Sequence, residues 1–152
     1  MEKTMLFLAR GCGSGLIHPA PGTWGSLAAL LIGIAWSFFG GMPLWFIVVA
    51  GIAGIYICDS GEKTLGVHDA SEIVFDEWIG MWIAMWHVPL ILTPVAFALF
   101  RLFDISKVGP IGKIQSLNGG LGIMADDVLA GIISRIILIV PIALFFLKTI
   151  QE

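Results

Sequence analysis

Charge is scarce in this chain. Only 12% of its 152 residues are Asp, Glu, Lys or Arg, whereas 58% are hydrophobic. A typical soluble domain is about one-quarter charged. No basic cluster is present, and the net charge of −3 excludes a strongly basic nucleic-acid binder. Cysteine is nearly absent as well. Cys12 and Cys58 have neither the spacing of zinc ligands nor the number a disulfide framework needs, so they read as free packing thiols. The N-terminus, "MEKTMLFLARGCGSG", has only a short apolar run, too short for a signal-peptide core and cleavage site. No internal repeat appears, and the apolar runs do not alternate as strands would.

What the chain has instead is hydrocarbon. Mean hydropathy is +0.97, and six Trp and ten Phe accompany it. Four apolar stretches stand out: 24–39, 43–58, 78–103 and 128–147. The first two, joined by Gly40-Gly41-Met42, predict a helical hairpin. The fourth contains Ser134, Arg135 and Pro141, and Arg135 there needs a partner, an interface or the protein interior. The third is interrupted by His87, Val88 and Pro89. It is either one kinked span or a re-entrant pair that turns back at those residues.

The turn-back path is favoured because it gathers polar segments 1–23, 59–77 and 104–127 on one face. That face then holds Lys3, Arg10, Lys63, Arg101, Lys107 and Lys113, six of the eight basic residues. The positive-inside bias makes it cytoplasmic. Ten of the eleven acids lie there too, all but Glu152. The expectation is an all-α, compact multi-helix integral membrane bundle, one domain over 1–152, with a kinked or re-entrant third segment.

Acids at a hydrocarbon boundary are costly and need compensation. The densest group is "GVHDASEIVFDEWIG" (66–80), with Asp69, Glu72, Asp76 and Glu77. On a helix, Asp69, Glu72 and Asp76 would line one face and repel, which a hard cation such as Mg²⁺ relieves. A solvated acidic face is the plain alternative. In "FRLFDISKVGPI" (100–111), Arg101, Asp104 and Lys107 recur every third residue, as a charge-paired helix end or as a carboxylate ligand between two phosphate-binding cations. In "GGLGIMADDVLAG" (119–131), Asp126 and Asp127 precede a helical pattern. Capping explains one of them, and the second points elsewhere around the helix. In "RGCGSGLIHPAPGTWGSLAAL" (10–30), a helix starting near Thr23–Ser26 offers backbone N–H groups to phosphate, which makes Thr23 and Ser26 candidate phosphate-binding residues.

Several mechanisms lack their motifs. Cys12 is followed five residues on by Ile17 and then His18, so there is no Cys-x5-Arg loop. There is also no D-x-D, no D-G-x-x-A-R and no P-S-G-H. With no covalent nucleophile in view, metal-activated water attacking a phosphomonoester fits what remains.

Taken together, "GSGLIHPAPGTWGS", "GVHDASEIVFDEWIGMW", "FRLFDISKVGPI" and "GGLGIMADDVLAG" closely resemble the phosphatidylglycerophosphatase A family, in the expected order over most of residues 10–132. The resemblance implies Mg²⁺-dependent hydrolysis of phosphatidylglycerophosphate to phosphatidylglycerol and inorganic phosphate, by an integral enzyme of the bacterial inner membrane facing the cytoplasm. It suggests His68, Asp69, Asp76, Glu77, Arg101, Asp104, Lys107, Asp126 and Asp127 as site residues. In this reading Asp76, Glu77, Asp104, Asp126 and Asp127 hold metal, Arg101 and Lys107 meet phosphate, and His68 or Asp69 transfers a proton. The run after Lys107, "KVGPI", departs from the family's K-P-W-P-I. The competing classes are a membrane-embedded divalent-cation carrier and a non-catalytic scaffold subunit.

Overall fold

A residue before proline is pushed out of helical geometry, and the 78–103 stretch breaks where that rule acts. His87 takes the left-handed conformation (φ 51°), Val88 and Pro89 follow, and a short 3-10 turn at Leu90–Leu92 leads into a new helix. The computed structural model describes residues 2–67, 70–107 and 119–151. They form six α-helices: α1 (Glu2–Ala9), α2 (Pro21–Ser37), α3 (Leu44–Leu65), α4 (Phe75–Met85), α5 (Thr93–Ser106) and α6 (Gly120–Gln151). A further 3-10 segment covers Gly11–Leu16, and no strand occurs among the described residues.

The third apolar stretch is thus the antiparallel pair α4–α5. Arg101, near the end of α5, returns to Glu77, in the first turn of α4. With 11 and 14 residues, the two helices are only about 16 and 21 Å long, too short for a hydrocarbon core of about 30 Å. The turn-back path is the one observed, and it brings the polar ends of α4, α5 and α6 together.

α4 is the centre of the bundle. Asp76, Trp78, Ile79, Gly80, Met81, Trp82, Ala84 and Met85 are all buried, and α2, α3, α5 and α6 pack around them. This alters the expected hairpin of the first two stretches. α2 and α3 touch near their connection, where the Trp36 and Phe46 rings lie 4.8 Å apart. Farther along, α4 packs against both: Trp82 Nε1 donates to the Ala29 carbonyl of α2 at 3.0 Å, and Ile79 lies against Gly51 of α3. The physical reason is that α4 is apolar all round and needs cover on every side.

Other boundaries also move. α3 runs on through Asp59–Leu65, because Asp59 and Lys63 make an i,i+4 ion pair and Gly66 (φ 68°) supplies the left-handed stop. α6 starts at Gly120, eight residues before the apolar run. Asp126 and Asp127 therefore lie in its second turn, and neither caps the helix end. Asp69 lies outside the described residues. Glu72 sits in a turn before α4 and pairs with Arg10 at 2.7 Å, so it shares no helix face with Asp76.

α3 and the Gly120–Leu144 part of α6 are long and apolar enough to cross a membrane. Their outward faces expose Trp45, Ile52, Ile136, Val140 and Leu144, the kind of surface that hydrocarbon covers.

A close backbone approach in the core joins α4 to α6. A Cβ added at Gly131 would lie 2.3 Å from the Gly80 carbonyl oxygen, and one at Gly80 would lie 2.6 Å from the Asp127 carbonyl oxygen. Helices in lipid associate through such small-residue contacts. Gly131→Ala is expected to destabilise the protein by about 1–3 kcal/mol through overpacking, read as a lowered thermal midpoint in detergent. Gly51→Ala is expected to hold or raise the midpoint, since its methyl would meet only Ile79 at 3.5 Å.

Candidate active site

Four helices deliver the site. α4 contributes Asp76 and Glu77 from its first turn, and α5 contributes Arg101 and Asp104 with Lys107 at its C-cap. Asp126 and Asp127 come from the second turn of α6, and Ser26 sits in the early turns of α2. Asp76 and Asp127 each precede by four residues the glycine of the α4–α6 crossing, so both helices present a carboxyl one turn above their point of closest approach.

Arg101 is the hub. Its Nη1 donates to Glu77 Oε1 at 3.2 Å and to Ser26 Oγ at 3.3 Å, and it is also bonded to the Asp104 carboxylate. Lys107 has left-handed geometry (φ 46°) and donates from Nζ to Asp126 Oδ2 at 3.0 Å. The expected cation–anion–cation stack along α5 is therefore split. Its first two members pair with each other, while the third reaches α6 because the helix has already ended.

Ser26 and Thr23, the two expected phosphate-binding residues, differ in what their hydroxyls do. The Ser26 hydroxyl is fully buried, donates to the Gly22 carbonyl at 2.8 Å and accepts from Arg101. Its one proton is committed, which leaves it none for a phosphate. Thr23 stands in the first turn of α2 and its side chain makes no hydrogen bond among the described residues. Sequence reasoning missed the two glycines beside them. A Cβ at Gly22 would fall 2.0 Å from Glu77 Oε1, and one at Gly25 would fall 2.7 Å from Glu77 Oε2. Their i,i+3 spacing on one face of α2 was the available signal. His68 and Asp69 lie outside the described residues.

The cluster carries five carboxylates against two cations. Asp76, Asp126 and Asp127 are buried at 6%, 6% and 3% exposure. Burial pushes the Asp76 carboxyl up to about 8; the charges of Asp126 and Asp104 add to this, against the opposing pull of the Glu77 N–H and the Asp127 carboxyl. Burial and the neighbouring Asp76 charge likewise raise Glu77 well above the usual carboxylate range, despite Arg101. Asp76 Oδ1, Glu77 Oε2 and Asp127 Oδ1 are buried without a hydrogen-bond partner. Unpartnered carboxylate oxygens are what a hard cation would satisfy. Among the described residues no three potential ligands already enclose a metal-sized point.

A carboxyl that keeps its proton in the folded state stabilises most below its ordinary value and loses that contribution as pH rises through the raised one. With chelator present, the thermal midpoint is expected to fall between pH 4 and about 8, the ordinary and raised values of Asp76. Asp76→Asn should flatten that fall in a pH series of melting curves.

Comparison with known proteins identifies the family of the chain. A family model described as Phosphatidylglycerophosphatase A matches residues 7–142. The chain is 45% identical over 136 residues to a Haemophilus influenzae protein named Phosphatidylglycerophosphatase A, covering 86% of this chain and 83% of that one. It is 42% identical over 143 residues to the Escherichia coli protein of the same name, covering 91% and 83%. A Bacteroides thetaiotaomicron protein provisionally named as a phosphatidylinositol-3-phosphatase is 39% identical over 148 residues, covering 89% and 91%. No solved structure matches the chain. With the family's match extending over nearly the whole bundle and both named relatives above 40% identity, the chain belongs to the phosphatidylglycerophosphatase A family of lipid phosphatases.

Proposed function

We propose that this chain hydrolyses phosphatidylglycerophosphate to phosphatidylglycerol and inorganic phosphate, using Mg²⁺, at the cytoplasmic face of the bacterial inner membrane. One observation carries the reading: five carboxylates converge with Arg101 and Lys107 at the polar ends of α4, α5 and α6. A phosphomonoester needs both signs of partner, cations for its oxygens and carboxylates for a metal. A divalent-cation carrier would have no use for two cations held inside its ligand set, and a scaffold none for buried, unpartnered carboxylate oxygens.

The donor set fits Mg²⁺, which takes one or two carboxylates, several waters and substrate phosphate oxygens and needs no closed protein cage. Asp76 and Asp127 would hold it, with Asp104 and Asp126 alongside. Glu77, also expected as a ligand, would stand at the edge of the set, where it faces Arg101 and the α2 glycines. When bound, the ion supplies Lewis acidity and a water of lowered pKa.

The chain's own residues do the rest. Arg101 has Nη1 committed to Glu77, Ser26 and Asp104, which fixes its plane and leaves Nη2 to bind a terminal phosphoryl oxygen. Lys107, held by Asp126, supplies a second positive charge. His68 or Asp69 transfers the proton. The apolar faces of the bundle keep the acyl chains in the bilayer while the headgroup reaches the carboxylates.

The test is phosphate release from phosphatidylglycerophosphate by the detergent-purified protein, with Mg²⁺ and with excess chelator. Phosphatidylinositol-3-phosphate serves as a rival substrate, because one relative carries that activity in its name. Release is expected with Mg²⁺ and phosphatidylglycerophosphate only. Asp76→Asn and Asp127→Asn should each lower turnover by about a hundredfold or more, and Arg101→Lys by a similar factor as the fork geometry is lost. Glu2→Gln, on exposed α1, should keep full activity. Full activity in both Asp variants would sink the assignment, and faster release from the inositol lipid would change the substrate.

A further inference from the structure

Arg135 lies in the apolar part of α6, eight residues past Asp127. It lines a cavity of about 120 Å³ together with Leu44, Ile47, Ile83, Trp86, Ile132 and Ile136. Two donors there lack acceptors: Arg135 Nη1 and Trp86 Nε1 are both buried without a hydrogen-bond partner among the described residues. The chain has no acid to offer nearby. Between Arg10 and Asp59, between Glu77 and Arg101, and from Val128 to Leu147, the only charged residue is Arg135 itself. A charged side chain within a spanning helix calls for a named counter-charge.

The surroundings narrow what can supply it. Leu44 is the first residue of α3, and Trp86 follows the last residue of α4. The cavity therefore sits at the end of the bundle opposite the carboxylates, which occupy the start of α4. α3 is apolar from Leu44 to Cys58 and turns polar at Asp59, so its Leu44 end lies toward the bilayer boundary opposite the polar face. The cavity's rim is apolar and outward-facing, with Leu44 49%, Ile132 41% and Ile136 58% exposed. A free anion would have to cross that rim through hydrocarbon, whereas a lipid already lies against it.

We propose that Arg135 and Trp86 bind the phosphodiester of an anionic phospholipid in the leaflet opposite the catalytic carboxylates. The guanidinium supplies the charge and the indole N–H the second hydrogen bond, while the isoleucines face the lipid's upper chain carbons. The site does not depend on the reaction proposed above, since none of its residues belongs to the carboxylate cluster.

The test is a thermal-midpoint titration of the detergent-purified protein with phosphatidylserine, which is neither a phosphomonoester nor the proposed product. Diacylglycerol of the same chains and inorganic phosphate are the parallel arms. Phosphatidylserine is expected to raise the midpoint saturably, and the other two to leave it in place. Arg135→Gln should raise the half-saturating concentration by about tenfold or more, and Trp86→Phe, which keeps the ring and removes only the N–H, by several-fold. An equal response of wild type and Trp86→Phe, together with an unchanged half-saturation in Arg135→Gln if that variant folds, would overturn the site. An equal shift from diacylglycerol would reduce it to hydrocarbon packing, and an equal shift from inorganic phosphate would remove the lipid.

Discussion

The contact between Gly80 and Gly131 sets the distance between α4 and α6, and the electrostatics of the whole site follow from it. With no side chain on either residue, a carbonyl of one helix occupies the space a methyl would need on the other. One turn toward the polar end, Asp76 and Asp127 then stand together, buried at 6% and 3% exposure. Two carboxyls that close in a dry setting cannot both ionise unaided. Burial is the main cause of the raised Asp76 value, with the charges of Asp126 and Asp104 adding to it and the Asp127 carboxyl pulling the other way. Stability favours a protonated or cation-bound pair, and chemistry on a phosphate favours the cation. The packing thus prepares a demand for positive charge that the protein itself meets only in part.

The protein's own cations are assigned elsewhere. Arg101 is held by three acceptors on one nitrogen, from α2, α4 and α5. Lys107 is held by Asp126 across the gap to α6. Asp76 Oδ1 and Asp127 Oδ1 stay buried without a hydrogen-bond partner, while Arg101 and Lys107 form the flank. Glu77 is the switch between the two halves of the cluster. It neighbours Asp76 in sequence, yet its carboxyl is received by Arg101 and the glycines of α2. An alanine at Gly22 or Gly25 would evict it, which makes the "PGTWGS" run part of the site although it contributes no charge of its own.

Much of this was legible in the sequence. Composition specified a helical, bilayer-covered chain. The breakpoint at His87–Pro89 could be read from proline sterics, and the turn-back followed from asking where the acids would go. The site residues Asp76, Glu77, Arg101, Asp104, Lys107, Asp126 and Asp127 do converge. The failures have one cause: local pattern carries no record of which helix lies between which. The Gly-rich link between α2 and α3 reads as a hairpin, but α4 also needs cover and takes it from both. The start of α6 reads as an acid-capped N-terminus because the long apolar run begins at Val128, but Gly120, Ile123 and Met124 pack against α3 or lie buried in the core, and the helix extends back to Gly120. The bond from Arg101 to the Ser26 hydroxyl is likewise a long-range pairing that local pattern does not record. One long-range signal was present and unread. "DEWIG" and "DVLAG" share an Asp four residues before a Gly, the pattern of two helices that cross at the glycine and meet at the acid.

The position of this cluster along the helices decides how a lipid headgroup can reach it. α3 is apolar from Leu44 to Cys58 and polar from Asp59 onward, and Gly120 of α6 packs against Ile55 and Asp59 at that transition. Asp126 and Asp127 lie two turns farther into α6, below the level where α3 becomes polar. The carboxylates are therefore sunk beneath the outermost polar surface, among helices whose outward faces are hydrocarbon-like. A soluble phosphomonoester would have to leave water to meet them. A phospholipid starts with its phosphate near that depth and needs only lateral motion, its chains remaining in the bilayer throughout. Short helices α4 and α5 fit the same constraint: they are long enough to bury the cluster's supports and too short to reach the far leaflet. For the activity proposed above, the depth of the carboxylates would favour a lipid over a water-soluble phosphate before any contact with the headgroup is made.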